Sequence, residues 1–194
     1  MRLSKGIAAA ALAISVLGMG APAPAAEARP ASRDPDFYLS VDLSARELSV
    51  VKNGETVASY PVAIGQPGHA TPTGEYRIRH IVWNPRWVPP DARWARNKRP
   101  RAPGDPRNPM GRVKMFFREP DLYVHGTRET DSLGEAESHG CIRMSNSAVI
   151  SVARLVMANG GEPRSPGWFR RVRDRLSSTR QVYLSQPVLI KIHR

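Results

Sequence analysis

Asn53-Gly54 is the feature that most narrows what this chain can fold into. The pair lies between two stretches of strand-like residues, 47–51 and 56–64. Asn and Gly both tolerate positive φ, which the tight hairpin turn requires, and such a turn twists in the same sense as the strands it joins. Two antiparallel neighbours are therefore expected early, and residues 37–41 add a third strand with the same alternation. Strand character resumes at 76–82 after a loop at 65–74 rich in Gly and Pro. Residues 113–117 and 122–125 read as a hairpin turned at 118–121, and 182–184 and 188–192 close the chain as strands around Pro187. Helical spacing occurs in two places. Val149, Val152, Leu155 and Val156 follow a Ser145 or Asn146 cap and stop at Gly160-Gly161. Trp168, Phe169, Val172 and Leu176 predict a second, more basic helix. The expected fold is mainly β with one or two helices, not a βαβ alternation.

The N-terminus carries an export pattern. Arg2 and Lys5 precede an uncharged, apolar stretch to Gly20, and Ala23-Pro24-Ala25 fits a small-residue cleavage site. Residues 1–26 are read as a signal peptide, 27–36 as a flexible leader and 37–194 as one catalytic domain. The apolar core is short for a bilayer span of about 20 residues, so no stable membrane span is expected after cleavage. The formal net charge is +12, and losing Arg2 and Lys5 with an acid-free signal leaves +10. An exported basic protein meets anionic wall polymers rather than nucleic acid. The expected location is the periplasm or the cell wall.

Residues 83–110 are rich in Pro, Arg and Trp without a period. A connection of over 20 residues is long enough to imply function. Trp83, Trp87 and Trp94 fall there and can line a groove for a sugar or peptide. The chain has a single cysteine, Cys141, so an internal disulfide is impossible. It sits in Ser138-His-Gly-Cys-Ile-Arg143, with His125 upstream in Tyr123-Val-His-Gly-Thr127. A thiolate is a nucleophile, a nearby imidazole is the usual means of making one, and Gly140 lets backbone approach a substrate carbonyl. His69, His80 and His193 have no sequence companions and read as loop or surface residues.

These motifs resemble the signature of the L,D-transpeptidase catalytic domain, also called the YkuD domain. Three further runs fit the resemblance: Thr71-Pro-Thr-Gly74, the Asp42…Asn53-Gly54 hairpin and Asn108-Pro-Met-Gly111. The usual motif has Asn two residues after the cysteine, where this chain has Arg143. The resemblance implies a β-sandwich-like catalytic domain acting on peptidoglycan stem peptides. It would cut between the third residue and D-Ala and transfer the acyl group to an amine, making a 3–3 cross-link or attaching a lipoprotein to the wall. It implies Cys141 as nucleophile, His125 as proton acceptor and donor, and the Gly126 backbone carbonyl as the group orienting His125. Gly140 and Cys141 N–H groups, with His139 nearby, form the implied oxyanion region. Arg143, Ser138 and Thr127 are the substrate-binding residues expected beside that chemistry, Ser138 and Thr127 by fixing loop geometry, and Trp87 joins them from the long segment by its composition. No cofactor and no metal are expected.

Rival readings remain open in the sequence. His125, His139 and Cys141 are three donors of the kind a hydrolytic zinc uses, although no H-E-x-x-H or C-x-x-C run and no obvious acidic base accompany them. A wall-binding module that has lost activity would have no need of both histidine and cysteine. A papain-like peptidase has its cysteine before its histidine, the reverse of the order here. An L,D-carboxypeptidase differs only in using water as acceptor.

Overall fold

The Asn53-Gly54 turn forms with both residues at positive φ, 53° and 82°, and joins β2 (Glu47–Lys52) to β3 (Glu55–Pro61). The structure, a computed structural model, describes residues 34–194. The expected signal peptide and residues 27–33 of the expected leader lie outside the described residues. β1 (Phe37–Asp42) pairs antiparallel with β2 and, on its other edge, parallel with β10 (Arg180–His193). The sheet continues through β5 (Gly74–Trp83), β6 (Val113–Arg118), β7 (Leu122–Thr127) and β9 (Ile142–Ser145). Its strand order is β3-β2-β1-β10-β5-β6-β7-β9. A separate parallel pair joins β4 (Ile64–Gly65) to β8 (Ala136–Ser138).

Two strands differ from their sequence reading, each at a proline. The run expected over 56–64 ends at Pro61, which has no N–H to extend a ladder. Ala63 then bridges to Arg143, and Ile64 pairs with Ala136, so the chain is redirected toward the cysteine loop. The two short strands expected around Pro187 are one strand of 14 residues, its register shifting between Tyr183 and Val188. β8 and β9 have too few residues to show a period.

Helix α1 (Asn146–Asn159) is capped by Ser145, whose hydroxyl accepts from the Ala148 N–H at 3.1 Å. It buries Ala148, Val149, Val152, Ala153, Val156 and Met157. Leu155, read as part of that face, is instead exposed. Helix α2 (Pro166–Asp174) starts at the Ser165 cap with Pro at its first turn, where a missing N–H costs nothing. It ends before Leu176 and buries Val172. One core cluster includes residues of β1, β2, β5, β6, β7, β9, β10 and both helices, among them Leu39, Leu48, Ile78, Met115, Met144 and Ile190. The domain is mainly β and sandwich-like, with two helices. Among the described residues, no helix is long and apolar enough to cross a membrane.

Candidate active site

β7 and β9 are parallel neighbours, with Val124 opposite Ile142 and His125 opposite Arg143. Residues facing one another across a ladder present their side chains to the same face. His125 and Arg143 therefore share a face, and Cys141, one residue before β9, enters the site beside Tyr123. β6 completes the face, with Lys114 opposite His125 and Phe116 opposite Tyr123. The rings of Tyr123 and His125 meet edge to face at 5.5 Å.

His125 is buried, and its Nδ1 is 2.8 Å from the carbonyl oxygen of Gly126. A carbonyl only accepts, so Nδ1 carries the proton in the neutral ring, and the basic lone pair lies on Nε2. Burial lowers the His125 pKa to about 3; the Gly126 and Pro109 carbonyls oppose this, while the Arg143 and Lys114 charges reinforce it. At neutral pH the ring is an uncharged base.

Cys141 is half-buried, and its thiol donates to the carbonyl of Asp121 at 3.3 Å. Burial raises its pKa, opposed by the Tyr123 backbone and hydroxyl and by the Lys114 and Arg143 charges. Tyr123 is itself pushed upward, first by burial and then by Cys141. A neutral thiol and a neutral imidazole are the resting state these shifts describe.

The cysteine loop is held mainly by Ser138. Its hydroxyl donates to the Cys141 carbonyl at 2.6 Å and accepts from the Gly140 N–H at 3.1 Å. Gly140 has a φ of 101°, which favours glycine. The Gly140 N–H is thus engaged, and of the pair expected to meet an oxyanion it is the Cys141 N–H that Ser138 does not hold. The Thr71-Pro-Thr-Gly74 loop supports the same turn. Thr71 accepts from the Gly65 N–H at 2.9 Å, and the Gln66 N–H donates to the Ser138 carbonyl at 3.0 Å.

The remaining residues named from the sequence are placed as follows. Thr127 is buried, and its hydroxyl accepts from the Glu129 N–H at 3.0 Å, a loop-fixing role. Arg143 is ion-paired with Glu129 at 3.4 Å, and its backbone is bridged to Ala63. The His139 ring stacks on Trp94 at 4.0 Å and lies 4.8 Å from that of His69. Burial lowers the His139 pKa, as do the charges of His69, Arg143 and Lys98. Among the described residues, no group of three or more His, Cys, Asp or Glu is arranged to hold a metal ion. Trp87 is buried, its backbone bonded to Arg101 at both ends, and Trp83 is in the core with Nε1 3.3 Å from the sulfur of Met157. Of these tryptophans, Trp94 is the one that reaches the cysteine loop. His80, read as a loop or surface histidine, lies in β5 between the rings of Phe116 and Tyr183.

Sequence reasoning offered Asn146 only as an alternative helix cap and missed its place at the site. Its Oδ1 accepts from the Arg112 N–H at 2.8 Å and its Nδ2 donates to the Thr127 carbonyl at 3.1 Å. A Cβ on Gly111 or Gly126 would collide with that amide. Asn146 therefore ties the end of the long basic segment to the end of β7, beside the carbonyl that orients His125. Lys114 and Tyr123 were missed too, because only strand register brings them to the cysteine.

A buried histidine oriented by its neighbour's carbonyl, and a glycine-flanked cysteine leading into the strand paired with the histidine's own, form an arrangement suited to acyl transfer through sulfur. The model of the L,D-transpeptidase catalytic domain, YkuD, matches residues 36–182, and the chain belongs to that family. The YkuD protein of Bacillus subtilis (strain 168) is 31% identical over 130 residues, 66% of this chain and 66% of that protein. The YbiS protein of Escherichia coli (strain K12) is 33% identical over 103 residues, 49% of this chain and 33% of that protein. This chain thus spans just under two thirds of the first relative and about one third of the second. The catalytic domain of the Enterococcus faecium L,D-transpeptidase superposes with a TM-score of 0.53 at 15% identity, covering 81% of this chain and 97% of that one. That likeness concerns the fold.

Proposed function

We propose that this protein is an exported cysteine L,D-transpeptidase acting on peptidoglycan stem tetrapeptides in the periplasm or cell wall. The observation that carries this reading is the Nδ1 bond of His125 to Gly126, which leaves Nε2 as the base one strand from Cys141. The thiol turns from the Asp121 carbonyl and gives its proton to His125 Nε2. The sulfur then attacks the carbonyl of the third stem residue. As the amide breaks, the imidazolium returns the proton to the D-Ala amine, and a thioester remains. An acceptor amine, activated by the same Nε2, displaces the sulfur. The acceptor is a second stem, giving a 3–3 cross-link, or a lipoprotein amine. The Cys141 N–H meets the oxyanion, and losing such a donor typically costs about 10²–10³ in rate. Arg143 and the basic segment bearing Trp94 flank the donor stem.

Incubation with disaccharide-tetrapeptide, followed by mass spectrometry, tests the reading. The expected products are D-Ala and a cross-linked dimer, lost in Cys141→Ala and nearly lost in Cys141→Ser. A carbapenem should form a one-to-one adduct on the Cys141 peptide, and a chelator should leave turnover unchanged. Tripeptide without dimer would assign a hydrolytic L,D-carboxypeptidase instead. Loss of activity on chelation, with restoration by zinc, would overturn the thiol mechanism.

A further inference from the structure

Lys114 stands in this site as a cation without a counter-charge. It shares the face of Tyr123 and His125, and its Nζ lies 4.6 Å from the Tyr123 ring centroid and 4.8 Å from that of Phe116. Among the described residues its side chain takes part in no ion pair. The other cation on this face, Arg143, is already paired with Glu129. Two aromatic faces hold an ammonium in place but do not neutralise it. A half-buried charge left unpaired is costly, and an anionic ligand relieves that cost. The burial that lowers the Lys114 pKa points the same way, since it marks a charge poorly served by water.

We propose that Lys114 is a carboxylate subsite beside Cys141, and that it receives the free C-terminal carboxylate of the residue displaced by the thiol. The inference rests on the transpeptidase reading for the identity of that residue. In a tetrapeptide donor the carboxylate belongs to the same residue as the scissile nitrogen, one Cα away from it. With the scissile carbonyl at the sulfur, the carboxylate therefore falls within a few ångströms, on the face that Lys114 occupies. A pentapeptide has a neutral amide at that point and leaves Lys114 unpaired. Lys114 thus selects donors that end one residue beyond the cut. The ion pair forms on binding and persists until the free amino acid departs, so it acts on donor affinity more than on the chemical step.

The first test needs no wall substrate. The full chain is alkylated at Cys141 with iodoacetate and, separately, with neutral iodoacetamide, and the ratio of the two rates is compared among wild type, Lys114→Met and Lys114→Arg. Any change in thiol acidity affects both reagents alike and cancels in the ratio. The ratio should fall about tenfold in Lys114→Met and recover in Lys114→Arg. In the second test, Lys114→Met should raise KM for the disaccharide-tetrapeptide about tenfold. With the C-terminal amide of the same peptide, Lys114→Met should leave KM unchanged, and any change in kcat from the lost charge near Cys141 and His125 should be common to both peptides. An unchanged alkylation ratio, or an unchanged KM in a variant whose wild type releases D-Ala, overturns the subsite. A wild type that keeps the iodoacetate preference but never releases D-Ala sinks the transpeptidase reading and supports the anion subsite alone.

Discussion

His125 and Cys141 are both driven toward their neutral forms by burial, one pKa down to about 3 and the other up. This differs from a thiolate–imidazolium pair, in which each charge stabilises the other and the thiol ionises well below neutrality. Alkylation of Cys141 by iodoacetamide should therefore keep accelerating as pH rises through 8 and above. A rate that is flat between about pH 5 and 8 would show a preformed ion pair and contradict the neutral resting state. His125→Ala should lose most turnover through loss of the base and the leaving-group acid. These two residues were legible in the sequence because their motifs are local and chemically unusual. Lys114, Tyr123 and Asn146 were not. Nothing near Lys114 in the chain marks it as a site residue. It faces the cysteine only because β6 pairs with β7 in one register, and register is a tertiary outcome.

At the scale of elements, the site hangs on three connections. Ser145 caps α1, and Ser145→Ala should cost about 1 kcal/mol of stability, read as a lowered denaturation midpoint. Asn146→Ala removes the two bonds that align Arg112 and Thr127 around Gly126, so turnover should fall more than stability does. An equal loss of both would make Asn146 a purely structural residue. The long segment between β5 and β6 is closed on itself by Trp87–Arg101 and Asn108–Pro85 bonds and meets the cysteine loop through Trp94 on His139. Residues 86–118 hold ten Lys/Arg and two Asp, which suits capture of anionic stems, an attraction weakened by salt. Trp94→Ala, or shortening residues 93–107, should raise KM for a soluble stem peptide. Unchanged kinetics in a folded variant would reject the segment as a lid. The sequence marked this segment by length and composition, yet Trp87, the residue expected to touch substrate, is buried. Which tryptophan faces the site is decided by how the loop closes, and that closure is made by backbone bonds with no sequence signature.

For the whole molecule, the buried neutral His125 ties stability to pH. Its folded pKa lies below the ordinary value near 6.5, so between pH 6.5 and about 3 the unfolded chain binds a proton that the folded chain does not. Stability from this residue is complete above pH 6.5 and falls as pH drops through that window, by up to about 1.4 kcal/mol per pH unit. Denaturant midpoints measured from pH 7 to 4 should decline, and His125→Asn should decline less steeply. Parallel slopes in the two proteins would show that His125 is not buried as a neutral ring. The charge of +10 expected after loss of the signal peptide makes association with anionic wall polymers salt-sensitive, to be read as elution from wall fragments at rising ionic strength.

The sequence by itself determined the early hairpin, the β-rich class, the capped helix and the cysteine and histidine motifs of the family. Each rests on residues close together in the chain: an Asn-Gly turn, a period of two, a serine before a helical stripe, two short motifs. Tertiary structure alone decided that β1 and β10, from opposite ends of the domain, lie side by side, and that Pro61 ends its strand so that Ala63 can clamp Arg143. It also decided that Lys114 and Tyr123 stand beside the thiol and that Trp94 covers the cysteine loop. Those arrangements join residues distant in the chain. They are fixed by strand register and by one shared core, which depend on every element at once.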